Sequence, residues 1–314
     1  AKEIEKIKGV KKVYPNYIVN ITLMDSIPLI NADDVWKLDE DGNDCLLSGK
    51  DCLTGKGVTI AIIDTGVDYS HPDLGGCFGV NCKVVGGYDF INNDDNPMDD
   101  QGHGTHVAAT AAGNGILKGV APDAKIYAYK VLGANGGGTM EGVIAGIERA
   151  VDPNNDGNFD DKVDIISMSL GGWGNPDDAI SQAVDNAVDA GVVAVIAAGN
   201  SGPSPSTITS PGTARKAITV GATYKKNYEP FLFKCLYAKD TPCGFCSKEG
   251  EEILCNNDWQ EDQITYFSSR GPVIFDNYQQ RLNKPNVVAP GAFICSARYD
   301  KKYPEGVDPY KHSC

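Results

Sequence analysis

The sequence predicts an α/β fold in which a mainly parallel sheet carries helices on both faces. Segments with strand character alternate along the chain with segments of helical periodicity, and this alternation is typical of parallel sheets covered by helices. One strand, at 58–63, reads VTIAII. A continuous apolar run of this length indicates a strand that is buried on both faces of the sheet.

The elements can be assigned in chain order from their apolar periodicity. Strands are predicted at 58–63, 124–131, 163–168, 192–197 and 217–221, and helices at 103–112, 139–151 and 176–190. In the second of these helices, one face carries Val143, Ile144, Ile147 and Val151, as in a helix that packs on a sheet. Chemistry in such folds gathers at the carboxyl ends of the strands, so the residues that follow each strand are the candidates for a site.

The composition argues against two classes of function. With 28 basic and 42 acidic residues the chain has a formal net charge of −14, whereas nucleic-acid binders need basic patches. The longest apolar stretch, at 191–198, is too short to cross a bilayer. We therefore expect a globular protein with no nucleic-acid partner and no membrane span.

Ten cysteines are a high number for a protein of a reducing compartment, and they indicate disulfides. Close neighbours, such as Cys45 with Cys52 and Cys77 with Cys82, could pair across short loops. A further cluster contains Cys-Gly-Phe-Cys and could instead bind zinc. Its members are Cys235, Cys243, Cys246 and Cys255. We favour disulfides, and hence a secreted protein outside the cell or at its surface, because the other six cysteines lack the spacing of metal ligands.

Three polar residues occupy positions where a strand ends or a helix begins: Asp64, His103 and Asn200. A carboxylate at a strand end could fix the tautomer of an imidazole that acts as a general base, and an amide could donate to a developing oxyanion. Each residue also has a simpler interpretation. Asp64 could cap a helix, Asn200 could belong to a turn, and His103 could share a metal with His106.

Together, the segments around these residues resemble the subtilisin-like serine protease (subtilase) family. The stretches that carry the resemblance are IAIIDTGVDYSHPDL at 60–74, GHGTHVAATAAG at 102–113 and VAVIAAGNSG at 193–202. Other family segments lie in register, among them SPGTARKAITVGA at 210–222 and KPNVVAPG at 284–291. The resemblance covers nearly all of 27–295, and an ordered set of motifs is far more specific than any single one.

The resemblance implies a subtilisin-like fold and a serine endopeptidase that hydrolyses peptide bonds in polypeptide substrates. Asp64 would orient His103, His103 would take the proton of the serine and return it to the leaving amine, and Asn200 would donate to the oxyanion. The substrate would lie extended and pair backbone to backbone with two segments. The implied substrate-binding residues are Gly136, Gly137, Gly138, Ser169, Leu170 and Gly171.

The serine itself departs from the family's pattern. The family's nucleophile lies in Gly-Thr-Ser-Met-Ala, shortly after VAPG; here VAPG stands at 288–291 and no Gly-Thr-Ser occurs in the 314 residues. Ser201, Ser268 and Ser269 belong to other family segments, and Ser313 is the penultimate residue. We therefore expect a catalytic domain that is incomplete on its C-terminal side, and a 314-residue chain that is inactive alone.

Three other functions agree with part of these observations. The protein could be a non-catalytic subtilase homologue that binds peptides in the cleft. It could be one chain of a split enzyme whose serine comes from another chain. It could also be a metal-binding protein that uses Asp64, His103 and His106.

Two segments interrupt the α/β pattern. Residues 1–25 resemble the end of the family's inhibitory propeptide, so the protein's own propeptide is an expected partner and the molecule an expected zymogen. The catalytic domain would then occupy 26–314. Residues from about 224 to 262 are rich in Cys and lack periodicity, which indicates a surface insertion. We expect the protein to be a monomer.

Calcium is the expected cofactor, because the family commonly uses it for stability. A segment that begins at Asp152 places side-chain oxygens at alternate positions and Gly at the sixth, as in a calcium loop, although the twelfth residue is Val163 and not Glu. The predicted ligands are Asp152, Asn154, Asp156, Asn158 and Asp160.

Asp73 matches a ligand of another calcium site of the family, but the loop at 113–119 that would complete it is short. The acidic loop at 92–100 is a third candidate for a cation.

Overall fold

The computed structural model describes residues 23–224, 264–276 and 279–292, with short pieces at 246–249, 252–255, 294, 296–298 and 312–313. Most of the predicted propeptide segment and most of the Cys-rich insertion lie outside the described residues. So do four of the ten cysteines: Cys235, Cys243, Cys295 and Cys314.

The elements agree closely with the expected ones. The helices are α1 Leu23–Leu29, α2 Ala32–Val35, α3 Cys45–Ser48, α4 His103–Ala112, α5 Met140–Val151 and α6 Ala179–Asp189. The strands are β1 Thr59–Asp64, β2 Val84–Asp89, β3 Lys125–Lys130, β4 Ile165–Met168, β5 Val193–Ala197, β6 Ile218–Thr223, β7 Cys246–Glu249, β8 Glu252–Cys255, β9 Val273–Phe275, β10 Gln280–Leu282, β11 Val287–Pro290, β12 Ser296–Ala297 and β13 His312–Ser313. The five predicted strands are β1, β3, β4, β5 and β6, and the three predicted helices are α4, α5 and α6.

Seven strands form one sheet in the order β11-β6-β5-β4-β1-β3-β2, and every pair in it is parallel. The predicted α/β fold with a mainly parallel sheet is thus confirmed. The sheet gains two edge strands that the sequence analysis did not assign. β2 reads VVGGYD and β11 reads VVAP, so glycine and proline weaken the strand signal of both.

The helices lie on both faces of the sheet, and β1 shows why. Ile60 and Ile62 pack in an apolar cluster with α4 residues such as Ala108. Ala61 and Ile63 pack in a second cluster with residues of α5 and α6. Because alternate side chains of a strand point to opposite faces, a strand that is apolar throughout contributes to both clusters.

The connection of the strands places a switch point next to β1. From β1 the chain runs to the edge strand β2, returns to β3 beside β1, and then crosses to β4 on the other side of β1. Ligand sites in open α/β sheets lie at the carboxyl ends of the strands where the strand order reverses in this way. The last residue of β1 is Asp64.

Two disulfides close short loops on the surface, Cys45–Cys52 and Cys77–Cys82. They confirm the predicted pairing of close neighbours in the sequence. In the predicted zinc or disulfide cluster, Cys246 and Cys255 are opposite residues of the β7–β8 ladder, and the other two members lie outside the described residues. Across the described part of the chain, no helix combines the length and apolar character needed to cross a membrane.

Candidate active site

The carboxyl end of β1 brings Asp64 against the first residue of α4. The Nδ1 atom of His103 lies 2.7 Å from Oδ1 of Asp64, and the backbone N–H of Thr65 donates to the same oxygen at 2.7 Å. Asp64 is fully buried, whereas the imidazole is 48% exposed. This is the arrangement that a general base needs: one ring nitrogen is held from behind, and the ring remains accessible.

The electrostatics of the pair favour the protonated imidazole. The hydrogen bond that the imidazole donates to Asp64 raises the pKa of His103 although partial burial of the ring acts in the opposite direction, and the charges of Asp64 and Asp99 raise this pKa further. Since the pKa is higher in the folded chain, the stabilisation from the pair is fully present below the unfolded pKa and is lost as the pH rises through the folded pKa.

Glycines on both sides of His103 allow this close approach. Gly102 has a φ of 113°, a backbone conformation that favours glycine. A Cβ atom at position 104 would collide with the carbonyl oxygen of Gly66 and would lie 3.2 Å from Cβ of Asp64. α4 can therefore begin against the end of β1 only because residue 104 has no side chain.

Asn200 lies at the same edge of the sheet. β5 ends at Ala197, and the chain turns through Gly199, whose φ is 103°, before it exposes Asn200. Only β4 separates β5 from β1, and adjacent strands are about 4.8 Å apart, so the two strand ends lie about 10 Å from each other. The turn is held by Ser269, whose Oγ accepts the N–H of Ser201 at 3.0 Å.

The predicted substrate-binding residues lie on either side of the strand that carries Asp64. Residues 136–138 belong to the loop after β3, residues 169–171 follow β4 directly, and β3 and β4 are the two neighbours of β1. A Cβ atom at Gly138 would collide with the carbonyl oxygen of Val131, and one at Gly171 would collide with Thr209. At Gly138 and Gly171 the neighbouring atoms therefore leave no room for a side chain. The role of the two segments as a contact surface for substrate stays a prediction.

Two of the four serines considered as substitutes for the nucleophile, Ser268 and Ser269, are tied to the backbone. Oγ of Ser268 accepts the N–H of Ala222 at 3.0 Å, and Oγ of Ser269 accepts that of Ser201. Both residues are 1% exposed. These contacts give the two side chains a structural role in holding loops of the sheet edge.

The metal alternative for the two histidines finds no support. Nε2 of His106 lies 3.0 Å from the carbonyl oxygen of Ile294, and burial lowers the pKa of His106. His106 is thus engaged with the segment after β11 while His103 is engaged with Asp64. In the described ranges no three His, Cys, Asp or Glu side chains are grouped so that they could hold a metal ion.

The predicted calcium loop at 152–160 uses its oxygens for its own backbone. The carboxylate of Asp152 accepts the N–H groups of Asp156 and Gly157 at 3.1 and 2.8 Å. Asn154, Asp156 and Asn158 each accept the N–H two residues further on. The donor set is rich in oxygen, which suits a hard cation, and the loop is exposed. The three carboxylates of this loop, Asp152, Asp156 and Asp160, are not grouped as metal ligands in this structure, so calcium at this loop stays a prediction.

The second calcium candidate, the site at Asp73, does not fit a cation. Asp73 is 2% exposed, and its carboxylate accepts the N–H groups of Ile116 at 2.8 Å and Leu117 at 3.3 Å. A Cβ atom at Gly115 would collide with the same carboxylate. The short loop at 113–119 therefore satisfies Asp73 with backbone amides and fills the space beside it.

Two residues that the sequence analysis assigned only to the acidic loop at 92–100 lie against the site. Asp99 is buried and accepts hydrogen bonds from both sides of the Asp64–His103 pair. Asp100 pairs with the buried ammonium group of Lys130 at 2.6 Å. The sequence held a signal for Lys130, because a lysine at the end of the apolar strand AKIYAYKV needs polar partners at that end.

Comparisons with known proteins agree with this geometry. The model described as the subtilase family matches residues 55–312. The minor extracellular protease Vpr of Bacillus subtilis (strain 168) is 46% identical in an alignment over 287 residues that covers 82% of this chain and 32% of Vpr. The serine protease AprX of the same organism is 35% identical in an alignment over 310 residues that covers 96% of this chain and 58% of AprX. This chain thus spans about a third of the length of Vpr and 58% of that of AprX.

Solved structures of similar proteins superpose on this chain. The structure of sphericase superposes with a TM-score of 0.58 at 33% identity and covers 82% of this chain and 74% of its own. A cold-adapted subtilisin-like serine proteinase superposes with a TM-score of 0.54 at 29% identity, covering 84% and 75%.

Proposed function

This chain belongs to the subtilase family, and we propose that it is part of a serine endopeptidase in which Asp64 is the orienting acid, His103 the general base and Asn200 an oxyanion donor. The observation that carries the proposal is the 2.7 Å contact between Nδ1 of His103 and the fully buried Asp64. Membership of the family implies a polypeptide substrate.

The proposed mechanism uses this contact at each proton transfer. Nε2 of His103 takes the proton of a serine hydroxyl as the oxygen attacks the scissile carbonyl carbon, and Asp64 stabilises the imidazolium that forms. The side-chain amide of Asn200 donates to the oxyanion of the tetrahedral intermediate. His103 then gives the proton to the leaving amine. The serine has to come from outside the 314 residues, since they contain no Gly-Thr-Ser segment.

The proposal also includes the path of the substrate, secretion of the protein and the division of the chain into propeptide and catalytic domain. An extended peptide would run between residues 136–138 and 169–171, whose places beside β1 support this role. Two disulfides and a relative described as an extracellular protease support secretion. Residues 1–25 are proposed as the end of a propeptide and 26–314 as the catalytic domain; α1 Leu23–Leu29 crosses that boundary.

We expect the 314-residue chain alone neither to hydrolyse casein nor to react with a fluorophosphonate probe, because it contains no Gly-Thr-Ser segment to supply the nucleophile. The measurement is probe labelling followed by mass spectrometry, with an active serine protease as the positive control. Labelling of any serine in this chain would contradict the expectation.

The coding sequence beyond codon 314 separates the proposal from its alternatives. A Gly-Thr-Ser-Met-Ala stretch there would give a longer chain that is labelled at its serine, and His103→Ala in that chain should abolish the labelling. A stop codon directly after Cys314 would instead favour a non-catalytic peptide-binding homologue or one chain of a split enzyme. Addition of a second chain that carries the serine would then distinguish these two.

We also propose that the loop at 152–160 binds calcium and that this binding stabilises the fold. Calcium at about 100 times its Kd would add about 2.7 kcal/mol to the free energy of unfolding, measured as a rise of Tm that EGTA reverses. Asp156→Asn should abolish the rise. Asp44→Asn, directly before α3, is the matched control, because Asp44 and Asp156 are both exposed and each accepts the N–H two residues further on. An equal rise of Tm in Asp156→Asn would refute the site.

A further inference from the structure

Asp99 is buried between Thr65, the residue after Asp64, and Thr105, the second residue after His103. The carboxylate is 4% exposed and accepts five hydrogen bonds. One oxygen accepts from Oγ1 of Thr65 at 2.9 Å. The other accepts from the N–H of Thr105 at 2.9 Å and from its Oγ1 at 2.6 Å.

These bonds connect the end of β1 to the start of α4. Thr65 follows Asp64 in the chain, and its Oγ1 accepts the N–H of Gly104, the residue after His103, at 2.8 Å. Thr105 in turn accepts the N–H of Asp68 at its Oγ1, at 2.9 Å. A single buried carboxylate thus fixes the residues next to both members of the pair.

Asp99 also holds the amino end of α4. It accepts the N–H groups of Gln101 and Gly102, both at 2.9 Å, in addition to that of Thr105. The first N–H groups of a helix have no partners within the helix, and a carboxylate there satisfies them and is favoured by the helix dipole. His103 is the first residue of this helix, so the orientation of its side chain depends on how this end is fixed.

We propose that Asp99 is a positioning residue, which acts through the hydroxyl groups of Thr65 and Thr105 to hold His103 at hydrogen-bond distance from Asp64. This inference rests on the proposed function, since it assigns a role relative to the proposed general base. Asp99 touches neither Asp64 nor a reacting atom in this arrangement. Its role is to set the distance and the angle between two other side chains.

The test is an NMR titration of the 314-residue chain labelled with 15N in histidine, which has only four such residues. In the wild type, the proton on Nδ1 of His103 should resonate at low field, because it lies in a short bond to Asp64. The charged groups that act on His103 are Asp64, Asp99 and His106. Asp99→Asn should abolish the low-field resonance and lower the pKa of His103.

Two variants of Thr65 separate the effect of the hydrogen bonds that position His103 from the effect of the charge of Asp99. Thr65→Val leaves Asp99 charged and removes the hydroxyl between the two elements, so it should also abolish the low-field resonance, whereas Thr65→Ser should retain it. Thr65→Val removes two hydrogen bonds and leaves the charge of Asp99 in place, so it carries the test if Asp99→Asn does not fold.

The matched control is Asp89→Asn. Asp89 is 2% exposed and accepts the N–H groups of Ile91 and Asn92 at 2.7 and 2.9 Å, as Asp99 does for Gln101 and Gly102. We expect Asp89→Asn to lower Tm and to leave the His103 resonance and its pKa unchanged. An unchanged low-field resonance in both Asp99→Asn and Thr65→Val would overturn the inference.

The failure of the proposed function would look different. Asp64→Asn should remove the low-field resonance whether or not Asp99 has a positioning role. If the wild type lacked this resonance, or if Asp64→Asn retained it, the Asp64–His103 pair itself would be refuted.

Discussion

Gly104→Ala is expected to lower the free energy of unfolding by about 3 kcal/mol. The added methyl group would overlap the carbonyl oxygen of Gly66 and lie 3.1 Å from Oγ1 of Thr65. Backbone atoms at the end of a buried strand cannot move aside as the end of a flexible side chain can. α4 would have to shift away from β1, and the shift would also lengthen the contact between His103 and Asp64.

The measurement is urea unfolding followed by circular dichroism, with Gly142→Ala as the matched control. Gly142 also lies in the first turn of its helix, and a Cβ atom there would meet nothing closer than Oγ1 of Thr139 at 3.4 Å. Since alanine favours the helix over glycine, we expect this control to gain up to about 1 kcal/mol. If Gly104→Ala did not lower the free energy of unfolding relative to Gly142→Ala, the close packing of α4 on β1 would be contradicted.

Much of the fold follows from local patterns in the sequence. α4 was predicted at its observed bounds because a run of small residues follows Gly-His-Gly. β1 was predicted because it is apolar throughout. The meeting of Asp64 with His103 follows from a general rule, since a carboxylate at the end of a parallel strand and the start of a neighbouring helix share one edge of the sheet.

The residues that hold Asp64 and His103 in contact could not be predicted from local sequence patterns. The hydrogen bond between Thr65 and Asp99 joins residues that are 34 positions apart, and the bond between Lys130 and Thr65 joins residues 65 positions apart. In the sequence, Asp99 and Asp100 are indistinguishable from the other acidic residues at 92–100. Their burial depends on which loop folds back over the strand ends, and periodicity carries no information about that.

The same limit applies to the edge strand β2. Its two central glycines give no strand signal, yet a Cβ atom at Gly87 would collide with the carbonyl oxygen of Ala128 in β3. Glycine is needed there because the neighbouring backbone approaches closely. A residue type that weakens the local prediction is thus the one that the tertiary contact requires.

Lys130→Met is the second substitution with a large expected effect, a loss of about 3 kcal/mol in the free energy of unfolding. The lysine is 1% exposed, and Nζ donates to the carbonyl oxygens of Thr65 at 2.7 Å and Leu132 at 3.0 Å, and to Asp100. Methionine fills a similar volume but leaves the two carbonyl groups without this donor. The peptide unit between Thr65 and Gly66, next to Asp64, would lose this contact.

The ion pair with Asp100 contributes less than the carbonyl contacts, because the side chain of Asp100 is 50% exposed and water can solvate its charge. We therefore expect Asp100→Asn to cost about 1 kcal/mol or less in urea unfolding. Lys56→Met, which breaks an exposed pair with Asp51, should cost equally little. If Lys130→Met cost no more than these two controls, the buried ammonium group would not be what fixes the end of β1.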